Sequence, residues 1–300
     1  MIVVTGATGN TGKVVAEQLL AAGEKIRVIG RRADKLQQFV TKGAEAFAGN
    51  VTDTDAMTRA FTGAAAVYAM IPPDLKTQNL RAYDASVGDS IATALERNGI
   101  KHAVALSSVG AQLPEGAGPV SGLHHFELRL NRVPGLNVLH VRPGYFMENF
   151  LMTVHVYKTM GFFSSLVKGD VPVPMIATRD IGVRAAAELR ALNFSGPQTL
   201  ELLGPRDVTM EEAARIFGTA IGKPGLGYMQ APGMMAKPAL LQAGLSADMA
   251  DNFIEMSNAV NERRMVPLET RSARNTTPTT FESFTAEVLV PAFKGQSASA

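Results

Sequence analysis

Cysteine is absent from this 300-residue chain. Its absence excludes disulfides and thiolate chemistry, and it suits a reducing compartment. Net charge is almost absent too. The 29 lysines and arginines against 27 aspartates and glutamates leave +2 with neutral histidines, so no strong field argues for nucleic acid or an anionic membrane. No apolar run is long enough to span a bilayer. A first strand that starts at residue 2 leaves no room for a signal peptide, so the cytoplasm is the expected location. No metal site and no internal repeat is expected.

Glycine, by contrast, is concentrated at the start, in "TGATGNTG" (Thr5–Gly12). The preceding "MIVV" is short, apolar and β-branched, as in a buried strand. After it, Val14, Val15, Leu19 and Leu20 recur at helical spacing up to Gly23, with Thr11 as a candidate cap. The glycines therefore fall in a strand-to-helix turn. There Gly6 permits a tight bend, Gly9 lets the backbone approach a pyrophosphate, and Gly12 allows close helix–strand packing. Phosphates would sit on the free N–H groups of the helix start, with Thr8, Asn10 and Thr11 completing the cradle.

The spacing of Gly6, Gly9 and Gly12 resembles the TGATGxxG signature of atypical short-chain dehydrogenases/reductases, in particular their NmrA-like and quinone-reductase-like branch. The resemblance is strongest over residues 1–150, resumes at "TRDIGVRAA" (Thr178–Ala186) and fades after about Gly204. It implies an NAD(P)-binding protein, either a reductase or a nucleotide-sensing regulator, with room for a homodimer.

Along the chain, strands and helices alternate. Strands are expected at "KIRVIG", "AEAFAG", "AAVYAMI", "HAVALSS" and "LNVLHVRPG", with Thr52 or Asp53 capping one helix and another running roughly Leu75–Asn98. The fold class is α/β, a Rossmann-type doubly wound parallel sheet of order 3-2-1-4-5-6. Its ligand must cross the carboxyl ends of strands one and four, where Met70, Ile71 and Pro72 lie. "FSSLVKGDVPVPM" reads as loop, "TRDIGVRAAAELRAL" as helix and "QTLELLG" as one more strand. From Arg206 on the pattern is mostly helical, a smaller C-terminal lobe whose methionines 229, 234, 235, 249 and 256 are expected in the core or cleft wall. The division is residues 1–150 plus about 178–204 for nucleotide binding, about 151–177 and 205–293 for the substrate-side lobe, and a frayed tail at 294–300.

The second strand ends in "VIGRRADK". Gly30 stands where an NAD enzyme places its acid, and Arg31 and Arg32 follow. Two guanidinium groups suit a 2′-phosphate, so NADP(H) is expected over NAD(H), with Arg31 the better placed. The family resemblance adds Asn50 and Val51 beside the adenine, and Tyr145, Phe146 and Asn149 on the substrate side.

Catalysis is less legible. Most short-chain dehydrogenases use a Tyr-x-x-x-Lys pair with a serine at the end of strand five. Ser107 supplies the serine, yet none of the five tyrosines has a lysine four residues on. A lysine that some NmrA-like relatives keep four residues before a glutamate is here Leu123, before Glu127. His124 and His125, on a helix that Ser121 could cap, are the remaining donor candidates with Ser107. Two functions follow. One is an NADPH-dependent reductase passing hydride to a small electrophilic acceptor of quinone, enone or azo type. The alternative is an NADP(H)-sensing regulatory protein without turnover, signalling to a protein partner.

Overall fold

The structure, a computed structural model, describes residues 1–231 and 233–296. Of the tail expected at 294–300, residues 297–300 lie outside the described residues.

Seven strands form one parallel sheet: β1 (Ile2–Val4), β2 (Ile26–Gly30), β3 (Glu45–Ala48), β4 (Ala66–Ala69), β5 (His102–Leu106), β6 (Asn137–Pro143) and β10 (Pro197–Leu202). Their order is β10-β6-β5-β4-β1-β2-β3, all pairs parallel. This is the doubly wound order read from the alternation, extended by "QTLELLG" beside β6. The pleat sends alternate side chains to opposite faces. Thus Ala66 and Tyr68 pack with helices α1 (Asn10–Ala21), α2 (Ala33–Val40) and α7 (Thr178–Ala191), whereas Val67 and Ala69 pack with α3 (Thr54–Ala60), α4 (Leu80–Arg97) and α5 (Pro119–Asn131). Asp53 is the cap of α3, its carboxylate accepting from the N–H groups of Asp55 and Ala56.

Several local expectations need correction. Helix α1 is capped by Gly9, not Thr11, and α5 by Gly118, not Ser121. Ser121 lies inside α5, where its hydroxyl accepts from Ala117 N–H at 3.2 Å. Helix α4 begins at Leu80 rather than near Leu75, because the preceding segment is held elsewhere. Leu75 O accepts from Ser246 N–H (2.9 Å), and Asp248 accepts from Leu80 N–H (2.7 Å). Both partners sit at the start of α10 (Ala247–Asn261).

The second body of apolar residues gathers α6 (Phe150–Met160), α8 (Met210–Ala220) and the segment around Phe281 and Phe284. Three small strands, β7 (Tyr145–Phe146), β9 (Val173–Ile176) and β11 (Asp207–Val208), form a sheet beneath it. Strands β8 (Phe163–Ser165) and β12 (Tyr228–Gln230) pair separately. "FSSLVKGDVPVPM" is therefore not simply loop, and two-to-four-residue strands are too short to announce themselves by alternation. Of the five methionines, Met249 is buried and Met256 half-buried, but Met229, Met234 and Met235 are exposed, Met234 by 91%. The last two ride on α9 (Gly233–Gln242), which touches α10.

Candidate active site

The turn after β1 is shaped by close approaches that leave no room for a side chain at Gly6 or Gly12. Gly6 has φ +62°, a left-handed conformation, and a Cβ there would lie 2.2 Å from the Met70 sulfur. A Cβ on Gly12 would stand 2.3 Å from Gly6 O. Thr5 ties the turn to β4, its hydroxyl donating to Tyr68 O and accepting from Met70 N–H, both at 3.0 Å. Thr11 is buried, and its hydroxyl accepts from Tyr68 OH at 2.9 Å. Its side chain is thus structural, leaving only its N–H for a ligand. No side chain caps α1, so no side chain occupies the N–H groups of its first turn, beside exposed Thr8, Gly9 and Asn10. A turn that admits no Cβ at Gly6 or Gly12 and an uncapped, positive helix end fit a dinucleotide pyrophosphate.

At the end of β2, Arg31 and Arg32 differ. Arg32 forms a two-pronged pair with Asp34 (2.5 and 3.1 Å), a carboxylate at the start of α2. Arg31 is exposed and has no hydrogen bond or ion pair among the described residues. Asn50 is exposed and accepts from Thr52 N–H at 3.2 Å, whereas Val51 is packed into the sheet core with Ile29 and Met57. Pro72 O accepts from Tyr83 OH at 2.8 Å, while Met70 is buried and Ile71 half-buried.

Beyond the ends of β4, β5 and β6 opens a cavity of about 1020 Å³. Tyr145, Phe146 and Asn149 line it, together with Leu75, Ser108 and Met256. Burial pushes the Tyr145 phenol up to about 12, with the neighbouring Tyr228 adding to the rise and Asn149 opposing it. Tyr145 therefore keeps its proton at neutral pH.

The three donor candidates fare differently. Ser107 is buried and donates to Glu127 at 2.5 Å, and Glu127 in turn holds Arg142 with two bonds (2.8 and 2.5 Å). Its hydroxyl is committed to a buried ion pair, and Ser108 takes its place on the cavity wall. His124 Nδ1 lies 2.8 Å from Ala111 O. His125 faces another groove, of about 450 Å³, between α4 and α5. None of the three lines the large cavity.

A family model for the NmrA-like family matches residues 1–285. The chain belongs to the NmrA-like family. Among its relatives is a (4-alkanoyl-5-oxo-2,5-dihydrofuran-3-yl)methyl phosphate reductase of Streptomyces griseus, 29% identical over 224 residues, 75% of each chain. An NAD(P)H azoreductase of Xenophilus azovorans is 27% identical over 260 residues, covering 85% of this chain and 86% of its own. The NADPH-dependent quinone oxidoreductase of Escherichia coli, solved with NADPH, shares the fold of this NmrA-like chain. The TM-score is 0.77 at 20% identity, over 100% of this chain and 96% of that one. Among the described residues no helix is long and apolar enough to cross a membrane, and no cluster of His, Asp or Glu could hold a metal ion.

The family's second motif also has a physical role. Gly182 of α7 lies so close to α1 that a Cβ would be 2.5 Å from Val14 Cβ. The flanking residues bind other segments: Thr178 donates to Glu148 through both N–H (2.9 Å) and hydroxyl (2.7 Å), and Asp180 accepts from Thr279. Burial nonetheless raises the Glu148 carboxyl above its usual range, against those hydrogen bonds.

Proposed function

We propose that this chain is an NADPH-dependent reductase that acts on a flat, electrophilic small molecule of quinone, enone or azo type. The observation that carries the reading is the largely apolar cavity beyond the carboxyl ends of β4, β5 and β6, on the same edge of the parallel sheet as the glycine turn that follows β1. Ligands of doubly wound sheets bind at that edge, where the strand order reverses. The bound nucleotide would supply hydride. Gly6, Gly9 and Gly12 with the N–H groups of Asn10 and Thr11 would hold its pyrophosphate, and Arg31 its 2′-phosphate. The chain's own task is then to exclude water, orient the acceptor between Phe146 and the apolar wall, and stabilise the oxygen or nitrogen that gains charge. Tyr145 and Ser108 are the hydroxyls best placed for that, with Tyr145 held protonated.

The reading treats residues 1–150 with about 178–204 as the nucleotide-binding unit and the remainder as the substrate lobe, working in the cytoplasm. Reductase relatives over most of the chain support it. A second reading, a nucleotide-sensing protein without turnover, is favoured by the commitment of Ser107 to Glu127 and by the missing Tyr-x-x-x-Lys pair.

Mixing the purified chain with NADPH and a panel of quinones, enones and azo dyes separates the two. Acceptor-dependent loss of NADPH absorbance is the expected result. Tight NADPH binding with no consumption across the panel would transfer the assignment to the sensor.

A further inference from the structure

Among the described residues, two other than glycine hold a left-handed backbone, Leu192 (φ 49°) and Arg263 (φ 55°). Leu192 follows α7 and packs against the sheet core, so burial offsets its strain. Arg263 follows α10, where its N–H bonds Val260 O and that of Arg264 bonds Ala259 O. Such a helix end favours glycine. Arg263 is exposed, and nothing the fold gains from burial explains an arginine there.

Arg263 also lines the large cavity, and there it differs from every other charged group of the wall. Arg271 is paired with Asp207. Glu148 is held by Thr178, and Glu269 faces Arg274 at 3.7 Å. Arg263 alone has no hydrogen bond or ion pair from its side chain among the described residues. Its backbone is nonetheless fixed from both sides. Asn261 accepts from Lys168 N–H (2.7 Å) and donates to Leu166 O (3.1 Å), while Arg264 donates to Gly116 O (2.8 Å). A strained backbone kept at a ligand cavity is a reason to look for function.

We infer that Arg263 is a specificity-determining residue that recognises an anionic substituent, a sulfonate, carboxylate or phosphate, on an otherwise flat apolar ligand of the cavity. The inference deepens the reductase reading and rests on it for taking the ligand of the cavity as the hydride acceptor. Chemically, a guanidinium on an apolar wall offers a planar fork that matches two oxygens of such a group. Its fixed backbone reduces the ordering cost of binding.

Arg263→Gly tests it, because glycine suits the backbone there and the variant should be at least as thermally stable as the wild type. Calorimetry with naphthalenesulfonate as probe should show about tenfold weaker binding to the variant, the loss of one charge-assisted contact. Binding of the matched neutral naphthalenesulfonamide should be unchanged, and Arg263→Lys should recover part of the sulfonate affinity. Equal sulfonate binding to wild type and Arg263→Gly would overturn the inference. So would parallel loss of both probes, which would mark a structural role. Neither readout requires turnover, so failure of the reductase reading would appear separately, as no NADPH consumption with any quinone, enone or azo dye of the panel.

Discussion

Around the glycine turn, the contacts that matter leave no room for a Cβ: Gly12 lies against Gly6 O, Gly6 against the Met70 side chain and Gly182 against Val14. Around the large cavity, side chains come together from segments as far apart as Leu75, Tyr145 and Val266. A contact too close for any Cβ accepts one residue type and so leaves a mark in the sequence. A cavity wall accepts many apolar residues and leaves almost none. The two regions should therefore respond to substitution in opposite ways, with sharp failures at the turn and graded effects at the wall.

The largest effect should come from Gly12→Val, whose side chain has no space against Gly6 O. Overpacking of that kind costs about 3 kcal/mol or more, read as a lower urea midpoint together with lost NADPH binding. Gly9 is the informative neighbour. A Cβ there would be 3.3 Å from Gly6 O, tight but tolerable, so Gly9→Val should fold near normally and still lose NADPH, because the added side chain fills the path of the pyrophosphate. A well-folded Gly9→Val that binds NADPH normally would show that the phosphates lie elsewhere.

Next in size is the choice of nucleotide. Arg31→Ala should weaken NADPH about ten- to hundredfold relative to NADH, and Arg32→Ala should do less because Asp34 already occupies that guanidinium. Fluorescence titration of both nucleotides measures it, and equal effects of the two substitutions would mean that the Asp34 pair opens on binding.

A smaller effect separates the groove between α4 and α5 from the cavity. Burial raises the Asp84 carboxyl from 3.8 to about 7, with Asp248 adding to the rise and Arg81 opposing it. The native state thus holds a proton that the unfolded chain releases, and stability from this group falls as pH rises from about 4 to 7. Asp84→Asn should remove that slope and raise stability at pH 8 by about 1–3 kcal/mol, with no gain at pH 4. Smallest of all, His125→Ala should leave turnover within about twofold, since His125 opens onto that groove; a larger loss in a steady-state assay would return it to the donor candidates.

The same contrast explains what could be read in advance. The order of six strands followed from alternation and right-handed crossovers, and Gly6, Gly9 and Gly12 from the backbone's needs. The helix starts were misjudged where a distant segment intervenes, as Asp248 does at Leu80. Ser107 looked available because Glu127 and Arg142, which occupy it, are far away in the chain. Met229, Met234 and Met235 look like core or cleft wall because methionine is apolar; the exposure of Met234 and Met235 depends on how α9 sits on α10, which spacing along one helix cannot convey, and Met229 lies on the short strand β12.

Strand β10 closes the sheet beside β6, yet residues 144–196 lie between them in the chain. During synthesis, β6 must therefore wait as an open edge with buried-type residues Val138, Leu139 and Val141 uncovered until that whole segment has left the ribosome. Edges of this kind invite pairing with other chains. The last seal comes later still, when Thr277 N–H reaches Leu203 O at 2.8 Å, just beyond β10. A ribosome that stalls between Gly144 and Gln198 would thus expose the most aggregation-prone form of the protein, and shortening the chain before Thr277 should leave the sheet formed but its final edge unfastened.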